Sequence, residues 1–188
     1  MSYRKLENIR EKIKEEALKI GARYGTRDVS ARRVSGACGI STHTIYNNFP
    51  SMRALIDEVA MDFDRKQMAL VKEMASQHYT PEQILDTFLD KFIEDKTCAL
   101  YYISYMRDFK TTPTTANPRA GEFLAAAKAL FSPKTPVTDD FLLLVWNYIA
   151  TLIFYYAEKI IRGSLNNDKV TRDNIRTISM KGLSTVLA

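Results

Sequence analysis

The chain has 188 residues, of which 46% are hydrophobic and 26% charged, with only 7 Gly and 6 Pro. That composition suits a globular protein with a sizeable core, and the shortage of turn formers disfavours a many-stranded β architecture and favours long helices. The net charge of +5 gathers at one end: Met1 to Arg53 carries 11 Lys and Arg against 5 Asp and Glu, whereas Ala54 to Ala188 carries 16 against 17. Such asymmetry points the N-terminal end at an anionic partner, nucleic acid ahead of a membrane surface, the other reading being a solvated face of mixed charge. Two cysteines, Cys38 and Cys98, are too few for a disulfide framework or a Cys-rich zinc site. The first ten residues lack the apolar region of a secretory signal, so a cytoplasmic protein is expected.

In chain order, Ile9, Ile13, Ala17, Ile20 and Tyr24 recur at helical spacing among charged residues, and Gly25 follows where a helix-ending glycine belongs. Ser30 is an N-cap for a short helix with Ala31, Val34, Ser35 and Cys38 facing inward, which Gly39 ends. Ser41 caps a second short helix, STHTIYNNF, in which Ile45 and Phe49 dock and Pro50 terminates. Longer helices are expected at Ser51–Gln77, from Pro81 behind a Thr80 cap, at Cys98–Phe109, at Arg119–Phe131, at Thr138–Ile161 and at Val170–Leu187. A polar, proline-punctuated loop is expected at Lys110–Pro118. Phe141 to Ala157 is an apolar run of 17 residues, the lower limit for crossing a bilayer. Asn147 and Thr151 interrupt it, and a helix buried in a core or a dimer interface is the preferred reading, with no membrane as partner.

The segment Gly25 to Leu55, GTRDVSARRVSGACGISTHTIYNNFPSMRAL, resembles the TetR/AcrR family of bacterial transcription regulators. The positions that carry the resemblance are Gly25, Ser30, Val34, Gly39, Ile40, Ser41, Thr44, Ile45, Tyr46, Phe49, Ser51 and Leu55, which fall at the family's spacing without a gap. Two positions depart from it: family members usually have lysine where Met52 stands and Gly or Pro where His43 stands. Arg53, one residue on, is a candidate to supply that charge, and its side chain leaves the helix about 100° away from the position of the lysine, which leaves the phosphate contact itself open.

The resemblance implies an all-α protein. An N-terminal three-helix helix-turn-helix unit, residues 1–50, would bind double-stranded DNA, and a helical domain, residues 51–188, would serve dimerisation and ligand binding. A helix-turn-helix lays its second helix in the major groove, so that helix needs an apolar side to dock and short polar side chains to read. The DNA-binding candidates are Arg32, Ser41, Thr42, His43, Thr44, Tyr46, Asn47, Asn48 and Arg53. Several have a plainer reading beside this one: Asn47 and Asn48 also suit a helix C-terminus, Tyr46 suits a core, and Arg32 suits a solvated surface.

Pairing into a homodimer would place two reading helices about one helical turn apart. The last two helices are the expected pairing surface, with Leu183 and Val186 on their seam. Aromatic residues at helical spacing in the C-terminal part suit either a core or, as the resemblance implies, a pocket for a small apolar or aromatic ligand. The candidates for such a pocket are Tyr101, Tyr105, Trp146, Asn147, Thr151 and Tyr155. Asn147, Thr151 and Glu158 fall on one stripe, which fits a pocket or a solvent-facing edge. The sequence lacks phosphate-cradling, dinucleotide-binding, zinc-protease and serine-hydrolase motifs, and His43 has only His78 as a fellow histidine. Neither catalysis, a metal nor a cofactor is therefore expected.

Overall fold

The computed structural model describes residues 3–109 and 138–187, with Gly121, Leu124, Ala125 and Lys128 between them; side chains are described within 8–181. The described residues form eight α-helices and one 3-10 turn, with no strand, so the all-α expectation holds. They are α1 (Tyr3–Tyr24), the turn Thr26–Asp28, α2 (Ala31–Cys38), α3 (Thr42–Asn48), α4 (Met52–Ser76), α5 (Pro81–Glu94), α6 (Lys96–Phe109), α7 (Asp139–Ile161) and α8 (Lys169–Leu187). The expected loop at Lys110–Pro118 lies outside the described residues, as does most of the expected helix at Arg119–Phe131.

Local chemistry fixes the helix ends. Ser30, Ser41 and Thr138 each accept a hydrogen bond from the backbone N–H three residues on, which satisfies one of the orphan donors of α2, α3 and α7. Thr80 and Gln83 form a reciprocal capping box at α5, with Pro81 in the first turn. Gly39 ends α2 at φ +67°, a left-handed conformation in which any side chain would be strained.

The helices gather into two compact units, Met1–Arg65 with Thr97–Lys110 and Lys66–Lys96 with Thr111–Ala188. The first unit buries Ile13, Val34, Ile45, Phe49, Leu55 and Tyr101 at its centre, so α6 completes the core under the helix-turn-helix. Tyr101 reaches across that core and donates from its hydroxyl to the Ile56 carbonyl at 3.0 Å. Gly21 on α1 makes room for it: a Cβ there would lie 2.4 Å from the tyrosine ring. A polar knot joins the turn after α1 to α6, where the Thr26 amide donates to Ser104 Oγ at 2.9 Å and the Thr26 hydroxyl donates to Asp108 at 2.8 Å. Desolvation works against the Asp108 carboxylate, but the hydrogen bonds from Thr26, Ser104 and the Arg27 backbone outweigh it and hold its pKa below the ordinary value.

The second unit packs α5, α7 and α8 on one another. Phe88 meets Trp146 edge-on at 6.3 Å, and Phe92 stacks on Phe154 at 5.1 Å. Arg172 and Arg176 on α8 reach Asp90 and Asp86 on α5 at 2.7 and 2.8 Å. In α7 the residues Leu142, Val145, Ile149, Ile153, Ala157 and Ile160 are buried. By length and composition α7 is long and apolar enough to cross a membrane.

One residue of the amphipathic pattern departs from expectation. Tyr24, the last apolar position of α1, is half exposed, and the guanidinium groups of Arg23 and Arg33 each lie 5.1 Å from its ring centroid. An aromatic face that attracts cations is stable at a wet surface, so helical spacing alone did not decide its side.

Candidate nucleic-acid interface

The α3 sequence sorts itself by side. Ile45 and Phe49 are 0% and 1% exposed and anchor the helix to the first core, while Thr42, His43, Tyr46 and Asn47 all lie on the exposed surface. Tyr46 is 51% exposed, which leaves its hydroxyl on the surface rather than in the core. The exposed set offers hydroxyl, imidazole and amide groups of the kind that bond base edges and phosphates.

The other candidates on this helix serve its ends. Ser41 Oγ accepts from the Thr44 amide at 3.1 Å and lies 3.0 Å from the Thr44 hydroxyl, so both side chains are engaged in the cap. Asn48 donates its side-chain amide to the Thr44 carbonyl at 2.8 Å, which closes the last turn. Arg32 on α2 is exposed, and its neighbour Arg33 pairs with Asp28 at 3.2 Å.

Residues remote in sequence brace this surface. Arg10 on α1 donates to the Asn48 carbonyl at the end of α3, pairs with Glu58 on α4, and lies 4.1 Å from the centroid of the Phe49 ring. One guanidinium thereby links three helices, and it satisfies a carbonyl that the helix end leaves open. Lys12 donates to the Cys38 carbonyl at 2.9 Å and does the same for α2. Lys14 bonds Asp62 and Glu11; those bonds outweigh desolvation and raise its pKa. Sequence reasoning missed Arg10 and Lys12, because a cation at helical spacing on α1 reads as a solvated face until its distant partner is known.

At the start of α4, Met52 packs half-buried against the core, while Arg53 is exposed and salt-bridged to Asp57. The six candidate ligand residues divide between the units. Tyr101 and Tyr105 belong to the first, Tyr101 fully buried and Tyr105 bonded to Asp57 at 2.8 Å. Burial, seconded by that bond, pushes the Tyr105 pKa up to about 12. Trp146, Asn147, Thr151 and Tyr155 belong to the second, with Trp146 and Asn147 half-buried and Thr151 and Tyr155 exposed. Glu158, the third member of the polar stripe, pairs with Arg162 at 2.8 Å.

A second short helix with a polar, exposed side beside basic neighbours is the arrangement of a helix-turn-helix. Residues 13–59 match the family model for bacterial regulatory proteins of the tetR family. No curated protein matches the chain in sequence. Its fold is similar to that of a TetR family transcription regulator from Marinobacter aquaeolei VT8, at 13% identity and a TM-score of 0.73 over 95% of this chain and 96% of that one. A TetR-family transcriptional regulator from Mesorhizobium loti MAFF303099 is similar at 12% identity and a TM-score of 0.61, over 96% and 97%. A third structure, from work on the control of antibiotic production by bacterial hormones, is similar at 17% identity and a TM-score of 0.55, over 96% and 95%. The N-terminal segment is thus that of a TetR-family regulator, and the chain as a whole has the fold of one.

Proposed function

We propose that this protein is a homodimeric, sequence-specific DNA-binding transcription regulator of the cytoplasm, a repressor released from a palindromic operator by a small apolar or aromatic ligand. The observation that carries the reading is the sidedness of α3, with Ile45 and Phe49 sunk in the core and Thr42, His43, Tyr46 and Asn47 presented together. Residues 1–50 are the DNA-reading part in this reading, and residues 51–188 the dimerising and regulatory part. The helix α4 contributes to both compact units, its residues up to Arg65 to the one that holds α3 and those from Lys66 to the other, so in this reading it is the element that passes a change from one to the other. A ligand acts by preferring one of two dimer geometries. The structure related to bacterial hormones, similar in fold, supports control by a small molecule.

A second reading, a DNA-binding regulator controlled by a protein partner or acting as an activator, draws on the second unit. Its described residues Pro81, Ile84, Leu85, Ile149, Leu152, Ser179 and Met180 line a cavity of only about 10 Å³. That is room for a single water. No enzymatic function is part of either reading.

Substitutions in α3 test the first reading on DNA selected from a random pool and on DNA of unrelated sequence. Tyr46→Phe should weaken both alike, by roughly 1.5–3 kcal/mol for a lost bond to a charged phosphate. Asn47→Ala and His43→Ala should instead relax the preference at particular base pairs, each by on the order of 1–3 kcal/mol. If both alanine variants select the same sequence as the parent while Tyr46→Phe alters it, the reading side of α3 is misassigned.

A further inference from the structure

We propose that Arg53 is a phosphate-binding residue held in its working orientation by Asp57, Tyr105 and Phe109, so that helix α6 sets the strength of a DNA contact made at the start of α4. This rests on the DNA-binding reading above and adds to it a means of control.

The geometry is that of a clasp. Arg53 Nε lies 2.7 and 2.8 Å from the two Asp57 oxygens. The guanidinium carbon lies 4.3 Å from the centroid of the Phe109 ring and 5.9 Å from that of Tyr105. Tyr105 in turn donates its hydroxyl to Asp57 Oδ1 at 2.8 Å, so the carboxylate is tied from two helices. A phosphate fork needs paired N–H groups on a charged plane; both bonds to Asp57 come from Nε, and the two terminal nitrogens carry the N–H groups of the fork.

The Arg53 side chain is 47% exposed, which gives an anion access to it. Met52 packs against the core, so the charge at the start of α4 comes from Arg53. An Arg–Asp pair four apart on one helix is common and worth little by itself. Here two aromatic side chains from α6, about fifty residues further along, close around it. A charge fixed in one orientation loses less entropy when it meets a phosphate than one on a free side chain. Tyr105 and Phe109 are therefore positioning residues that act through Arg53.

The test is fluorescence anisotropy of the full chain on a mixed-sequence duplex of about 30 base pairs, enough for two half-sites a turn apart. Binding is measured over a range of salt concentrations. Arg53→Gln should lower affinity and reduce the salt slope by about 0.9, the share of one phosphate. Phe109→Leu keeps the apolar packing and removes the ring face; it should lower affinity about two- to five-fold and leave the slope unchanged, because the charge remains. The decisive comparison is Phe109→Leu in the Arg53→Gln background, where no further loss is expected. Tyr105→Phe, which removes the hydroxyl that holds Asp57 and keeps the ring, should behave the same way and serves if Phe109→Leu lowers the folded fraction. Equal losses in both backgrounds, or a parental slope in Arg53→Gln, would overturn the proposal while leaving the DNA-binding reading intact. A parent chain that shows no salt-dependent binding would overturn both.

Discussion

Replacing Gly21 with alanine is expected to lower the melting temperature of the full chain by about 6–12 °C, although alanine is the better helix former. On helix propensity alone the substitution inside α1 would stabilise by about 0.8–1.0 kcal/mol. The packing says the opposite. A Cβ at Gly21 would sit 2.4 Å from Cδ2 and Cε2 of Tyr101 and 3.3 Å from a Val29 methyl. Tyr101 cannot slide away cheaply, because it is fully buried and its hydroxyl is anchored on the Ile56 carbonyl. Overpacking costs roughly 1–3 kcal/mol, and a freed buried hydroxyl about as much again. A net loss near 3 kcal/mol corresponds to the stated shift for a chain of this size. The check is circular dichroism on heating, with Gly21→Ala made also in a Tyr101→Ala background, where the space is vacant and alanine should be neutral or stabilising. A rise in melting temperature for the single variant would show that α1 does not meet α6 in this way.

The second large effect concerns assembly. On α7, Leu144, Tyr148, Thr151 and Tyr155 recur at spacings of four, three and four, and all are exposed. Leu144 is 64% and Tyr155 53% exposed, and on α8 Val170 and Ile178 are exposed as well. Exposed large hydrophobic side chains on the last two helices, Leu144, Tyr148 and Tyr155 on α7 with Thr151 among them and Val170 and Ile178 on α8, make the surface that a second copy of the chain would cover. Leu183 and Val186, the seam named from the sequence, are side chains outside the described set. The double substitution Leu144→Glu with Tyr155→Glu should therefore halve the mass seen in sedimentation while helix content stays the same, since neither side chain belongs to the core of its own unit. Affinity for a two-half-site DNA should fall by about two to four orders of magnitude, because each unit then binds alone. An unchanged dimer mass would place the interface elsewhere.

The helix-turn-helix was legible because its signals are local. Ser30, Ser41 and Gly39 act on backbone within three or four residues, and Ile45 and Phe49 fall on the docking side at helical spacing. The residues that hold the interface were not legible for the opposite reason. Arg10 meets Asn48 across 38 positions, Tyr105 meets Asp57 across 48, and Thr26 meets Asp108 across 82. No periodicity encodes such pairs. Gly21 was not legible either, since a glycine is tolerated inside a helical pattern and the Tyr101 ring that fills its place lies eighty positions away. Tyr101 and Tyr105 look alike in a stripe of aromatics at helical spacing, and only the fold reveals that they belong with the helix-turn-helix and not with the unit that holds Trp146.

The most direct measurement of the central claim is selection of bound DNA from a random-sequence duplex pool by the purified full-length chain. The account predicts enrichment of a pseudo-palindrome whose half-sites are centred about 34–36 Å apart, one helical turn, with binding that weakens steeply as salt rises. A pool that stays random after repeated rounds, or an affinity indifferent to salt, would contradict it.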